Sequence, residues 1–280
     1  DWNAAEGRYN WELVFCELYA GGKYDDSGDN YEYSLGLNGL GSCATQYSSE
    51  FFDATIYRDG QKYSLHFEKG ENIGGLQTEP APKHKTGSKF HWKPDLEVFT
   101  DIDIPAEYFQ SVMKRQAMVN SGVTFQFRNQ VDGKFESTEF RYENGIIQYI
   151  SELAGENPLT QPVFYETERK GRDRADLKDY KVKLSVAFCF SNAASVIEHY
   201  HNSSWLEHGG SPEKAVRSAF VSGIDAYLKK QGKYNKNESK VNWNDIQDSL
   251  VLVSNNFSTS TSYENQTKKS IPNRFVQEAM

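Results

Sequence analysis

The sequence predicts an α+β protein in which antiparallel hairpins are interspersed with amphipathic helices. Asp59-Gly60 and Asp132-Gly133 each separate two runs of strand-forming residues, which is the pattern of a tight β-hairpin. A segment at about 179–190 alternates apolar and polar side chains, as a half-buried strand does. Helix start signals at Pro105 and at Ser211-Pro212 open two longer helical stretches.

The first half of the chain is predicted to begin with a helix that Asn10 caps and that runs to about Ala20, where Gly21-Gly22 ends it. Residues 24–35 are polar and unpatterned, which predicts a long loop. The other predicted elements of this half are a short helix at 42–47, strands at 51–57, 62–67 and 88–92, a loop at 70–87, a helix at 105–119, a hairpin of strands 123–129 and 135–142, and a helix at 145–153.

A linker is predicted at residues 154–162, which contain two prolines and no periodicity. It divides the chain into domains of residues 1–154 and 155–280, and the full length suffices for two such domains. The second domain is predicted to contain strands at about 162–168, 179–190 and 250–253, a helix at 211–230 and a final helix within 266–280.

Composition excludes several classes of protein. The chain has 31 basic and 39 acidic residues and a net charge of −8, which argues against a surface that binds nucleic acid all over. Its three cysteines form no Cys-x-x-Cys pair, so neither a disulfide framework nor a zinc ribbon is indicated, and we expect a cytoplasmic protein. No apolar run approaches the roughly 20 residues that span a bilayer. Because the chain begins with Asp1, we expect a fragment or a processed product.

The most distinctive segment is Gly36-Leu37-Asn38-Gly39-Leu40-Gly41-Ser42, with glycines at the spacing G-x-x-G-x-G before a short helix. Glycine lets the backbone approach a ligand closely, and amide groups at a helix start favour an anion. The segment therefore indicates a phosphate-binding loop, although an ordinary glycine-rich turn would have the same pattern. Neither the Rossmann fingerprint nor a Walker loop matches it.

Other motifs accompany this segment in a fixed order. They are Ala20-Gly21-Gly22-Lys23-Tyr24, Ser34-Leu35, Lys85-Thr86-Gly87-Ser88 and, far downstream, Gln266-Thr267-Lys268. The combination resembles the B subunits of the bacterial type IIA topoisomerases, DNA gyrase and topoisomerase IV, over nearly the whole chain. This resemblance implies the C-terminal part of a GHKL-type ATPase sandwich followed by a transducer domain with a ribosomal-S5-like fold.

The same resemblance implies a set of site residues. ATP would be bound by Gly22, Lys23, Ser34, the glycine segment 36–42 as the end of an ATP lid, and Ser88 beside adenine. Gln266 and Lys268 would form the catalytic pair, because an amide and an ammonium group can stabilise charge on the γ-phosphoryl. Without the resemblance, Lys23 would be a solvated lysine, Ser88 a plain strand residue, and the segment around Gln266 an exposed linker.

Two expected features of such an ATPase are missing from the sequence. The family's general base is a Glu and its Mg²⁺ ligand an Asn four residues later, whereas here only Glu6 and Asn10 have that spacing, with Gly7 between them. We interpret Asn10 as a helix cap, predict no metal ligand, and expect that this polypeptide alone does not hydrolyse ATP. His199, His201 and His208 have no neighbouring cysteine and share no helical face, so they are not predicted to bind zinc.

The resemblance implies partners as well as cofactors. The parent enzyme would use ATP and Mg²⁺, act on DNA, dimerise through its B subunits, and work with a gyrase A or topoisomerase IV A-type subunit. One alternative is a nucleotide-dependent clamp or chaperone of the same ATPase fold, and another is a scaffold with an empty pocket. The Gln-Thr-Lys and Ala-Gly-Gly-Lys stretches favour the topoisomerase.

Overall fold

The structure is a computed structural model that describes residues 1–20, 36 and 39–280. Contacts among these residues divide them into two compact units. The first unit contains residues 1–20, 36 and 39–104, and the second contains residues 105–280.

The first unit is built on one antiparallel sheet. Its elements are β1 (Trp2–Asn3), β2 (Arg8–Tyr9), α1 (Asn10–Cys16), α2 (Gly41–Tyr47), β3 (Ser49–Arg58), β4 (Gln61–Glu68), β5 (Glu71–Asn72), β6 (Gln77–Pro80) and β7 (Gly87–Pro94). The strands of the main sheet lie in the order β5-β4-β3-β7, and β6 pairs with β4 beside β5. A separate pair of short strands, β1 and β2, precedes α1.

The predicted hairpin of the first unit is confirmed. Asp59 and Gly60 adopt φ values of 54° and 75°, the left-handed conformation that a two-residue hairpin turn requires. One face of the sheet carries Phe52 and Phe67, which pack against Phe15 of α1. The alternation of the strands places polar side chains on the opposite face, where His66 Nδ1 lies 2.7 Å from Asp53 Oδ1.

Three predictions for this unit are wrong. The helix α1 ends at Cys16, not near Ala20, because Glu17 already has an extended backbone. Its cap is Tyr9, not Asn10, and the Tyr9 amide donates to the Glu12 carboxylate at 2.8 Å. The region 70–87, predicted as loop, contains β5 and β6, which are ordered by pairing with the edge of β4.

The second unit surrounds a mixed five-stranded sheet. Its elements are α3 (Ala106–Val119), β8 (Phe125–Val131), β9 (Lys134–Phe140), α4 (Ile146–Ala154), β10 (Val163–Gly171), β11 (Tyr180–Phe190), β12 (Val196–His201), β13 (Ser204–Trp205), α5 (Ser211–Lys230), α6 (Asn244–Gln247), β14 (Leu250–Ser258) and α7 (Arg274–Ala279). The strand order is β10-β11-β14-β12-β13, with β12 and β14 parallel. The hairpin β8–β9 forms its own two-stranded sheet.

Helices bury both faces of this sheet. Ala187 and Cys189 of β11 belong to the core that contains the buried ends of α3 and α4. Leu252 of β14 packs on the other face with Val216 of α5. The strand β14 is buried almost throughout, which explains why its sequence is apolar at successive positions rather than alternating.

Most predicted elements of this unit are present with small shifts, and β12, β13 and α6 are additions to the prediction. Gly210, not Ser211, is the residue before α5. The boundary between the compact units lies between Ile104 and Pro105, because α3 and α4 pack on the sheet of the second unit. The predicted boundary, between residues 154 and 155, lies inside the second unit. That boundary remains a prediction about functional domains.

Candidate functional site

The glycine segment leads directly into α2, as the sequence predicts. Gly39 has a φ of 64°, and Gly41 is the first residue of α2, with nothing within 4 Å of the position that a Cβ would occupy. The first bond of this helix runs from the Ala44 amide to the Leu40 carbonyl at 2.8 Å. The amides of residues 41–43 therefore precede the helical bonding pattern, and Gly41 and Ser42 are exposed.

The rest of the predicted ATP-binding set divides into two groups. Gly22, Lys23, Ser34, Leu37 and Asn38 lie outside the described residues. Gly36, Gly39, Leu40, Gly41 and Ser42 are described, and all but Leu40 are exposed.

Contacts with the rest of the first unit hold α2, and with it the end of the glycine segment, in place. Cys43 and Gln46 of α2 are buried, and the Tyr47 hydroxyl donates to the Cys16 carbonyl of α1 at 3.4 Å. The Tyr47 ring also covers Gly70, where a Cβ would come within 2.7 Å of the ring. The short helix is thus held from two directions by residues of the first unit.

Ser88 lies near the start of β7, opposite Ile56 of β3. Two residues on, Phe90 shares the same face and contacts Phe15 of α1 with ring centroids 6.3 Å apart. The exposed Ser88 side chain therefore lies on the α1 side of the sheet. The role of Ser88 beside adenine stays a prediction.

The segment with Gln266 and Lys268 lies in the second unit, between β14 and α7. The Asn265 carboxamide oxygen accepts from the amide and hydroxyl of Thr267, at 3.1 and 2.5 Å. Lys268 has a φ of 59°, its amide donates to the Asn265 carbonyl at 3.2 Å, and its Nζ lies 5.8 Å from the centre of the Tyr263 ring. The segment is therefore a folded turn with its own hydrogen bonds.

Two of the three histidines that could suggest zinc, His199 and His201, are buried and hydrogen-bonded within the fold. His199 Nδ1 lies 2.8 Å from Ser254 Oγ, and His201 Nε2 lies 2.8 Å from Thr261 Oγ1. Burial lowers the pKa of His199 to about 4, with a smaller contribution from Arg217, and burial lowers the pKa of His201 to about 3. Within the described ranges, no group of three or more His, Cys, Asp or Glu side chains is placed to hold a metal ion.

Glu6 and Asn10 have the spacing of the family's general base and Mg²⁺ ligand, but they do not form such a pair. Glu6 lies in the turn between β1 and β2, whereas Asn10 is the first residue of α1. The two side chains therefore do not share the face of one helix, which that spacing would require.

Sequence reasoning missed the hairpin β12–β13, whose turn residues contact the segment that carries Gln266 and Lys268. Asn202 and Ser203 form that turn, with φ values of 46° and 64°, and the Asn202 side chain is 2% exposed. The available signal was the Asn-Ser pair between two runs of strand-forming residues, since asparagine tolerates the left-handed conformation.

Comparison with known sequences agrees with the predicted resemblance. The family model for DNA gyrase B matches residues 145–280. The DNA gyrase B protein of Synechocystis is 26% identical over 99% of this chain, and that of Mycoplasma pneumoniae is 29% identical over 95% of it. The chain spans only 25% of the former protein and 41% of the latter.

Solved structures of gyrase B and topoisomerase IV are similar to this chain over nearly its whole length. The 43K ATPase domain of Thermus thermophilus gyrase B, in complex with an aminocoumarin, matches 99% of this chain with a TM-score of 0.70 and 20% identity, over 68% of its own length. The ATP-binding domain of Francisella tularensis topoisomerase IV, bound to a small-molecule inhibitor, matches 100% of the chain with a TM-score of 0.72 and 23% identity, over 72% of its own length.

The chain is similar to the gyrase B family: the family model matches its second half, and gyrase B proteins align along nearly all of it. Its α+β fold matches those of solved ATPase regions of gyrase B, topoisomerase IV and topoisomerase II, which confirms the predicted fold class. Among the described residues, no helix is both long and apolar enough to cross a membrane.

Proposed function

We propose that this chain supplies part of the ATP-operated machinery of a type IIA DNA topoisomerase in the cytoplasm. The observation that carries the proposal is the similarity to gyrase B along almost the entire chain, which includes both the glycine segment and the Gln266–Lys268 turn. The parent protein would couple ATP binding and hydrolysis to passage of one DNA duplex through another. Its partners would be DNA, an A-type subunit of gyrase or topoisomerase IV, and a second B subunit.

The proposed division of labour follows the two domains of residues 1–154 and 155–280. In the first, the segment 36–42 binds the phosphates with backbone amides, aided by Gly22, Lys23 and Ser34, and Ser88 contributes a hydroxyl beside adenine. In the second, Gln266 donates an amide hydrogen and Lys268 a positive charge to the γ-phosphate. Charge placed in advance where the transferring phosphoryl group gains negative charge stabilises the transition state.

Magnesium does not fit the described residues. No cluster of ligating side chains is formed among them, and Glu6 and Asn10 stand on different elements. We also propose that the 280-residue polypeptide by itself binds ATP weakly and does not hydrolyse it at a useful rate, since a base that orients water is needed and Glu6 does not share a helix with Asn10.

The test is an ATPase assay with DNA on the protein as its gene encodes it, comparing the unmodified protein with Lys268→Met. We expect the substitution to lower kcat by about a hundredfold, the usual cost of removing one such group. Lys236→Met is the matched control, because Lys236 is an exposed lysine of the same unit. An unchanged kcat in Lys268→Met would refute the assigned role.

A second assay separates the alternatives. Supercoiling, relaxation and decatenation of plasmid DNA report strand passage, which a chaperone or a repair clamp with the same ATPase fold does not perform. ATP hydrolysis without any change in DNA topology would favour such a clamp. Calorimetric titration of the 280-residue chain with ATP tests the remaining alternative, a scaffold whose pocket takes no nucleotide.

A further inference from the structure

The segment that carries Gln266 and Lys268 is fastened at its beginning to the hairpin β12–β13. The Asn202 carboxamide oxygen accepts from the Ser258 amide at 2.8 Å, and its Nδ2 donates to the Ser258 carbonyl at 3.1 Å. The same Nδ2 donates to Thr261 Oγ1 at 3.1 Å, and the Tyr263 hydroxyl donates to the His201 carbonyl at 3.2 Å. One buried side chain therefore joins the end of β14, the following loop and the hairpin turn.

The segment is also fastened at its far end, again to the hairpin and the residues that follow it. The Ser204 hydroxyl donates to the Lys268 carbonyl at 2.9 Å, and the His208 amide donates to the Lys269 carbonyl at 2.9 Å. Lys269 Nζ forms an ion pair with Glu207 at 2.5 Å. Both ends of the turn that contains Gln266 are thus held by residues 201–208.

The hairpin turn is in turn bonded to the C-terminal part of α3. Gln116 Nε2 donates to the Ser203 carbonyl at 2.9 Å, and the Ser203 hydroxyl donates to Asn120 Oδ1 at 3.0 Å. Arg115 stacks on Trp205, with its guanidinium carbon 3.9 Å from the ring centre. The helix, the hairpin turn and the loop therefore form one continuous set of polar contacts within the second unit.

From these contacts we infer that Asn202 is a positioning residue for the γ-phosphate contacts of Gln266 and Lys268. It touches neither reacting group; it fixes the place of the loop that carries them, and α3 fixes the hairpin turn in which it stands. This inference rests on the proposed function, because it assigns Asn202 a role in the same nucleotide site. A left-handed turn position with a buried carboxamide suits asparagine, which tolerates that backbone conformation and offers both an acceptor and a donor.

Hydrogen exchange tests the structural half of the inference. Asn202→Gly keeps the left-handed backbone accessible and removes every side-chain bond, so the amides of Ser262, Glu264 and Lys268 should exchange at least about tenfold faster. Thr261→Val, which removes only the hydroxyl that His201 and Asn202 share, should act in the same direction. Asp132→Gly is the matched control, since Asp132 has a φ of 49° in the exposed hairpin turn of β8–β9.

Nucleotide discrimination tests the functional half, on the protein as its gene encodes it. We measure the dissociation constants of ADP and of the β,γ-imido analogue of ATP, whose ratio reports contacts to the γ-phosphate. Asn202→Gly should lower this preference at least about fivefold and leave ADP binding unchanged, whereas general destabilisation would weaken both ligands. Asp132→Gly should leave the ratio as it is.

Lys268→Ala separates the two proposals. If it lowers the preference and Asn202→Gly does not, or if loop exchange is unchanged in Asn202→Gly, then the positioning role is wrong and the proposed function stands. If Lys268→Ala leaves the preference unchanged, the γ-phosphate role proposed for Lys268 fails, and this inference fails with it.

Discussion

Acid should destabilise the second unit through its two buried histidines. His199 and His201 are 4% and 0% exposed, and their pKa values in the folded protein are lowered to about 4 and about 3 from 6.5. Because both pKa values are depressed, the unfolded chain binds more protons than the folded one below pH 6.5. The stability that the folded state has when both imidazoles are neutral is fully present above pH 6.5. It is lost as the pH falls toward 4.

The magnitude follows from the pKa difference. At about pH 5 each histidine is protonated in the unfolded chain and neutral in the folded one. This difference lowers the free energy of unfolding by about 2 kcal/mol per group, or roughly 4 kcal/mol for the pair. A domain is usually stable by about 5–15 kcal/mol, so this loss is a large part of the total. The unit should therefore be close to unfolding at this pH.

Urea denaturation at about pH 7.5 and about pH 5, followed by the fluorescence of Trp205 and Trp243, measures this loss. His199→Gln and His201→Gln should each reduce the difference in unfolding free energy between the two pH values by about 2 kcal/mol. His208→Gln is the control, because His208 is an exposed histidine of the same unit. A pH dependence equal to that of the unmodified protein in both buried variants would refute the reasoning.

Two further predictions concern packing. Phe15→Ala should destabilise the first unit by about 3–5 kcal/mol, because Phe15 is 4% exposed and its ring contacts those of Phe52 and Phe67. Chemical denaturation measures this loss. The control Val14→Ala, at an exposed position, should hardly change the free energy of unfolding. Gly210→Ala should destabilise the second unit by roughly 2–5 kcal/mol, since its φ is 107° and a Cβ would lie 2.4 Å from the Ile271 carbonyl oxygen. Gly133→Ala, at a φ of 77° with nothing within 4 Å, should cost only about 1–2 kcal/mol, and equal melting temperatures of the two glycine variants would contradict this.

Elements with local signals were predictable. The turn at Asp132-Gly133 has the left-handed conformation that such a pair favours, and Pro105 stands directly before α3. The alternating pattern of residues 180–190 corresponds to β11, whose two faces pack on different helices. In each case a preference of a few neighbouring residues agrees with the tertiary structure, so the sequence alone sufficed.

The chain by itself thus determined where most helices and strands lie and which family it resembles. Tertiary structure decided other features: the strands β5 and β6 on the edge of β4, and the folded segment around Lys268. The bonds that hold that segment join residues far apart in sequence, as Asn202 and Ser258 are. No local preference predicts such a hydrogen bond, because its two residues become neighbours only when β12 and β14 pair in the sheet.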